Sequence, residues 1–220
     1  MKFKQISPHV YKAETWMGVK MSAWVIQEGD YSIIIDTGLS FMGSHLLSFA
    51  EEKAPLQMIL LTHGHSDHVG GLSSILRKRK VPVYAHPNEI KYIEGKEPYP
   101  KRKKPERGIT PGIVKPLPED ENHNLHTMMN LVPYPTPGHS PGHTAYFHKE
   151  DNVLISGDMF TSKRGKLTPP MKAFTADAQE AVESSRLIEE LNPDLISICH
   201  GNDIEHPQNQ LQDYLEKYKK

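Results

Sequence analysis

Cysteine is almost missing from this chain: Cys199 is the only one in 220 residues. That excludes an internal disulfide framework and the cysteine-rich class of zinc site, so any metal must be held by His, Asp and Glu. An excess of charge is missing as well, with a formal net charge of −1. The chain has neither the basic footprint of a nucleic-acid binder nor an acidic tail. No apolar run approaches membrane-spanning length. The opening Met1-Lys2-Phe3-Lys4-Gln5-Ile6 lacks the apolar stretch of a secretion signal, which makes the cytoplasm the expected location. Hydrophobic residues amount to 37%, enough at this length to bury a substantial core.

Periodicity and turn chemistry outline the elements. Residues 24–27 and 32–35 flank Glu28-Gly29-Asp30-Tyr31, a hairpin signal, and the second of these strands is apolar enough to be buried on both faces. Leu46, Leu47 and Ala50 give a helix over Gly43–Lys53, stopped by Ala54-Pro55. Residues 58–62 read as a buried strand. Val69, Leu72, Ile75 and Leu76 then predict one helix starting at Asp67, where a carboxylate suits the helix dipole. A short strand over 81–85 and a short helix opened by His86-Pro87 follow. Residues 95–124 form one long irregular, proline-rich stretch with the basic cluster Lys101-Arg102-Lys103-Lys104 and Arg107, as a lid, binding loop or mobile loop would. Strands are expected over 131–134, 144–148 and 153–156. One helix is expected from Ala178 to Leu191, then a last strand over 195–198 and a closing helix from Pro207. The two halves share this grammar, which points to two sheets packed face to face with helices outside.

The densest chemical signal is Thr62-His63-Gly64-His65-Ser66-Asp67-His68, directly after the apolar run 58–61. Four metal-ligand side chains lie within six residues, and imidazole with carboxylate suits zinc or a similar first-row ion. Asp67 and His68 are neighbours and tend to point apart, which hints at two ions. Three further candidates stand at strand ends: His139 in the stiff loop Thr136-Pro137-Gly138-His139-Ser140-Pro141-Gly142-His143, Asp158 in Gly157-Asp158-Met159, and His200 after residues 196–198. Asp36, in Asp36-Thr37-Gly38 after a strand, reads equally as plain turn chemistry or as a carboxylate supporting a metal-bound histidine. His143 reads equally as a supporting group or a rim residue. The basic runs 101–104 and 163–166 flank these segments and suit either a solvated loop or recognition of an anion. The remaining histidines lack a partner pattern, and Cys199 reads as a small buried residue.

The order of these motifs resembles the metallo-β-lactamase superfamily, in its dinuclear metallohydrolase branch, with glyoxalase II-like and lactonase-like hydrolases nearest in ligand set. The resemblance runs from Asp36 to His200. It implies an αββα sandwich of two mixed β-sheets with helices on the outside, formed as a single domain over residues 1–220. Carried over, His63, His65 and His139 hold one divalent ion, Asp67, His68 and His200 hold a second, and Asp158 bridges both. Zinc is favoured, with manganese or iron as alternatives, and a bridging hydroxide serves as nucleophile toward a small ester, thioester, lactone or related molecule. Asp67 is implied to accept or relay a proton. True β-lactamases lack an aspartate where Asp158 stands, which argues against antibiotic hydrolysis. Only twenty residues follow His200, which argues against the helical substrate domain of glyoxalase II and its glutathione thioester. The rival readings are a mononuclear iron dioxygenase acting on persulfides, similar in motif order, and a non-catalytic metal-binding module, against which the complete ligand set argues.

Overall fold

The run Ile33-Ile34-Ile35 behaves as its pattern predicts: all three side chains are fully buried, on the central strand of a seven-stranded sheet. That sheet fills the first of two units, Met1–Leu117 and Pro118–Lys220, in a computed structural model that describes residues 1–106 and 108–219. Arg107 of the basic cluster and Lys220 lie outside the described residues. Strands β1 (Lys2–Gln5), β2 (Val10–Trp16), β3 (Lys20–Glu28) and β4 (Tyr31–Ile35) form an antiparallel meander. After β4 the connections become helical. Helix α1 (Gly43–Lys53) leads to β5 (Leu56–Leu60), and α2 (Ser66–Val69) with α3 (Leu72–Lys78) leads to β6 (Val83–Ala85). A 3-10 turn at Pro87–Glu89 and α4 (Ile90–Ile93) then lead to β7 (Val114–Pro116). Each crossover returns the chain to the same end of the sheet, so β4, β5, β6 and β7 run parallel in that order. Asp36 follows the end of β4, and the segment from His63 to His68 follows β5, at the carboxyl edge where open α/β sheets gather their functional loops.

The core of this unit joins Ile34 and Ile59 of the sheet to Leu46, Leu47 and Ala50 of α1 and to Leu72 and Ile75 of α3. The pattern predicts one helix from Asp67 onward, and the structure divides it at Gly70-Gly71. The cause is close packing against the loop after β4. A Cβ on Gly71 would lie 2.3 Å from the Thr37 carbonyl oxygen and 2.8 Å from Gly43 Cα. The same approach lets the Thr37 N–H and hydroxyl donate to the His68 carbonyl at 2.6 and 2.9 Å. A second correction concerns residues 95–124: the stretch contains β7, whose pattern is hidden because only Val114 of its three residues is buried. β1 and β2 are likewise unannounced, since charged residues break their alternation; Lys12 is nevertheless almost wholly buried, 3.5 Å from Glu14.

The second unit holds β8 (Leu131–Pro135), β9 (Thr144–His148), β10 (Val153–Ile155), the hairpin of β11 (Thr161–Lys163) and β12 (Lys166–Thr168), α5 (Ala178–Ser184), α6 (Leu187–Leu191), β13 (Leu195–Ser197), β14 (Ile204–Glu205) and α7 (Gln208–Tyr218). Its main sheet has the order β14-β13-β10-β9-β8, antiparallel except for the β10–β13 pair. Leu154, Val182, Ile188, Ile196, Leu211 and Leu215 join sheet and helices in one core. The helix expected over 178–191 is two helices. Asp177 caps the first by accepting from the Gln179 and Glu180 amides, and Ser185 turns its hydroxyl back to the Val182 carbonyl at the break. Asn192, left-handed at φ 45°, ends the second where the Asn-Pro step predicts. The expected last strand ends at Ser197, and β14 pairs after it. Among the described residues no helix is long and apolar enough to cross a membrane.

Gly71→Ala forces a methyl group against the Thr37 carbonyl, so we expect a loss of roughly 1–3 kcal/mol, the usual cost of overpacking. Urea unfolding read by far-UV circular dichroism measures it, and a midpoint equal to wild type contradicts the close contact.

Candidate metal centre

In the first unit the site is organised by Asp36. Its backbone is left-handed at φ 57°, a conformation Asp tolerates better than most residues, and this turns the side chain back beneath β5. Asp36 Oδ1 accepts from the Thr62 N–H at 2.8 Å, and Oδ2 accepts from the Thr62 hydroxyl at 2.7 Å. Oδ2 also lies 2.7 Å from His68 Nδ1, and both side chains are fully buried. A carboxylate has only acceptors, so His68 donates from Nδ1 and its Nε2 carries the lone pair. That lone pair is turned toward Asp67 Oδ2, 3.9 Å away. Of the two readings of Asp36, the structure selects the carboxylate that supports a histidine.

His63 and His65 are placed by a second carboxylate, Glu89, fully buried at the end of the 3-10 turn. Glu89 Oε2 accepts from the Gly64 N–H at 3.2 Å and from the Tyr99 hydroxyl at 2.7 Å. Burial, reinforced by the Glu89 carboxylate, pushes the Tyr99 phenol well above the usual tyrosine range, so it remains a hydroxyl donor. Gly64 has to be glycine here: a Cβ would lie 2.4 Å from the Ile93 side chain and 2.5 Å from the Tyr99 hydroxyl. His65 sits edge-on to the Tyr99 ring, with centroids 4.5 Å apart.

A directed chain of hydrogen bonds passes through these histidines. Arg102 Nη2 lies 3.1 Å from His65 Nε2, and a guanidinium only donates, so His65 Nε2 accepts. The His65 hydrogen is then on Nδ1, 3.0 Å from His63 Nε2. His63 in turn donates from Nδ1 to the Thr62 hydroxyl at 3.1 Å, and Thr62 donates on to Asp36. Arg102 also pairs with Glu106, whose other oxygen accepts from the Ser66 N–H at 3.0 Å. Glu89, Tyr99 and Glu106 are functional candidates that sequence reasoning missed. Arg102 alone had a signal, as the one arginine among the lysines of residues 101–104.

The second unit gathers its candidates on Asp158. His139 Nε2 and His200 Nε2 lie 3.4 and 3.2 Å from the same oxygen, Asp158 Oδ2. The Thr175 hydroxyl donates to the Met171 carbonyl at 3.0 Å and therefore accepts from His139 Nδ1 at 3.3 Å. This leaves the lone pair of His139 Nε2 facing a carboxylate oxygen. His143 acts on the backbone instead. Its Nε2 accepts the Asp158 N–H at 3.1 Å, so its Nδ1 donates to the Thr136 hydroxyl at 2.8 Å. It is a buried support for the Asp158 backbone rather than a rim residue. The His139 loop is fastened to α5, with the Asp177 N–H on the Gly138 carbonyl at 2.7 Å, and a Cβ on Gly138 would lie 2.1 Å from Ala181 N.

In each unit a lone pair faces a carboxylate oxygen, His68 Nε2 toward Asp67 and His139 Nε2 toward Asp158, and such a pair repels unless a proton or a metal cation lies between its two atoms. The donors are imidazole nitrogen and carboxylate oxygen, a set that fits zinc and its neighbours. The 3.0 Å between His63 Nε2 and His65 Nδ1 also fits. A tetrahedral ion bound at about 2.0–2.1 Å from each nitrogen would hold them about 3.3 Å apart. Cys199 is fully buried and close to His200 and Asp158. The basic residues Lys163, Arg164 and Lys166 form the exposed tip of the β11–β12 hairpin, where Arg164 and Gly165 take the positive φ values of 55° and 75° that such a turn requires. The cleft of about 740 Å³ beside them is bordered by α7 and contains none of the candidate ligands.

Comparison with known proteins gives a consistent picture. The family profile described as Metallo-beta-lactamase superfamily matches residues 19–200. A Bacillus subtilis protein named Probable metallo-hydrolase YybB is 37% identical over 223 residues, covering 100% of both chains. A Nitrosomonas eutropha protein named Hydroxyacylglutathione hydrolase is 25% identical over 178 residues, which cover 80% of this chain and 58% of that one. Among solved structures, a metallo-β-lactamase from Hirschia baltica superposes with a TM-score of 0.73 at 20% identity, over 100% of this chain and 98% of that one.

The Asp36–His68 contact yields a direct test. Asp36→Asn removes the charge that holds the Nδ1–H of His68, and loss of such a supporting group costs about 10- to 100-fold in metal affinity. Competition with a chromophoric chelator reads the change, and wild-type zinc affinity in the variant counts against the assigned role.

Proposed function

The chain belongs to the metallo-β-lactamase superfamily, and on that premise we propose that it is a hydrolase working with two divalent ions on a small ester, thioester or lactone. In this reading His63, His65 and His139 hold one ion, Asp67, His68 and His200 hold the other, and Asp158 is shared. Residues 1–220 then act as one hydrolase domain. The observation that carries the reading is the convergence of two imidazoles, at 3.4 and 3.2 Å, on one oxygen of Asp158. A carboxylate shared between ions needs imidazoles of both ligand sets on it. Zinc suits the donors best, with manganese or iron as the alternatives. The family likeness to a hydroxyacylglutathione hydrolase supports a carbonyl substrate.

Bound ions of this kind polarise a carbonyl oxygen and make water a nucleophile near neutral pH. The chain's own residues do the rest. Asp36 and Thr62 hold His68 in one tautomer, and Thr175 does the same for His139, so that Nε2 of each ring faces inward. His143 fixes the backbone of Asp158. Asp67 differs from the other candidates in exposure, with 23% of its side chain open to solvent against 0% for His68. It is the carboxylate that can take a proton from water and pass it outward.

Metal analysis of the purified protein is expected to give close to two ions per chain. Asp158→Ala is expected to lower occupancy of both and to cost more turnover than His200→Ala, because a shared ligand serves two ions. Chelator treatment should lower the melting temperature, with recovery on adding zinc. One iron per chain, with oxygen consumed on a persulfide, would replace the hydrolase by the dioxygenase.

A further inference from the structure

Of the basic run 101–104, the three lysines are exposed, whereas Arg102 turns inward and 24% of its side chain remains open. The chain bends at Lys101, left-handed at φ 66°, and Arg102 then stacks over Tyr99 with 5.4 Å between guanidinium carbon and ring centroid. One imidazole separates this guanidinium from His65 Nδ1, the nitrogen that faces His63. Glu106, with 20% of its side chain open, holds the other arm of the fork.

This arrangement conflicts with the ligand role of His65. While Arg102 donates to Nε2, the hydrogen of His65 must sit on Nδ1, the nitrogen that would hold metal. When Nδ1 is a ligand, the hydrogen belongs on Nε2, and two donors then face each other across 3.1 Å. Metal-bound histidines generally donate that second N–H to a carboxylate. Glu106 is the acid at hand, already bound to Arg102 and to the Ser66 N–H. His63 and His68 face no such conflict, because each donates from Nδ1 and keeps its lone pair on Nε2.

We propose that metal loading turns the Nε2–H of His65 into a hydrogen-bond donor to Glu106 and releases Arg102 to bind a carboxylate on the substrate, making Arg102 the residue that determines specificity. This rests on the hydrolase reading above and adds the substrate's class. A planar fork suits a carboxylate bidentately. With Glu106 beside it, a single guanidinium favours a monoanion over a dianionic phosphate. A carboxylate held there lies one imidazole ring away from the ligand nitrogen of His65, so it sits close to the bond being cut.

The test uses the zinc-loaded full chain and two 4-nitrophenyl esters of equal acyl length, one ending in a carboxylate and one in a methyl group. Wild type is expected to prefer the carboxylate ester. Arg102→Gln should reduce that preference roughly ten- to hundredfold, mainly through KM, the value of one charge-assisted contact. Arg102→Lys should fall between them. A second readout is zinc affinity by chelator competition: Glu106→Gln should weaken it about tenfold, and Arg102→Gln should leave it equal or tighter. Equal losses on both esters, or zinc weakened alike in both variants, would reduce the pair to a structural latch and overturn the proposal. If neither ester is turned over, the hydrolase reading fails separately, and titration of monomethyl glutarate, a monoanion, into zinc-loaded wild type and Arg102→Gln decides the inference. Binding that depends on Arg102 sustains it; its absence, or tighter binding of inorganic phosphate, overturns it.

Discussion

The carboxylate of Asp36 has no solvent exposure, and burying a charge of that size costs several kcal/mol unless hydrogen bonds replace its water. Three donors replace it here: the Thr62 amide, the Thr62 hydroxyl and His68 Nδ1. The Asp36 amide in turn donates to the Leu60 carbonyl at 2.9 Å, so the ends of β4 and β5 and the start of α2 are tied through one residue. Two candidate ligands of the first unit, His68 and His63, take their orientation from this node. It sets the tautomer of His68 directly and that of His63 through Thr62.

Both units follow the same rule for holding a histidine. One ring nitrogen is bound to a group whose donor or acceptor role is already fixed, so the other nitrogen has its state decided in advance. Asp36 serves His68, Thr62 serves His63, and Thr175 serves His139. His143 uses the same arithmetic for another end, accepting a backbone amide to hold Asp158. His65 departs from the rule, since its outer partner is a donor-only arginine. The residue that breaks the pattern marks the place where loading of the site and recognition of a substrate become coupled.

Much of the fold was legible because it depends on local pattern. The hairpin of β3 and β4, helix α1, the β9–β10 pair and α7 follow from apolar spacing with glycine, proline or asparagine at the ends. The errors came where a distant contact overrides local preference. Gly70-Gly71 divides a helix because the Thr37 carbonyl and Gly43 lie against it, and β7 forms because β6 offers an open edge, although two of its three residues are exposed. Propensity over a few residues carries no record of such neighbours.

By itself the sequence determined the chemistry available: imidazole and carboxylate with one cysteine, placed at strand ends, with glycine at position 64 where backbone and side chains crowd. It also carried the family, through motifs that run from Asp36 to His200. Only the tertiary structure decided which nitrogen of each histidine faces inward, what Asp36 and His143 hold, and that Glu89, Tyr99, Arg102 and Glu106 belong to the site at all. The physical reason is that a ligand's identity is local, whereas its tautomer and direction depend on hydrogen-bond partners remote in the chain. Asp36 and His68 are 32 residues apart, and Arg102 and His65 are 37 apart.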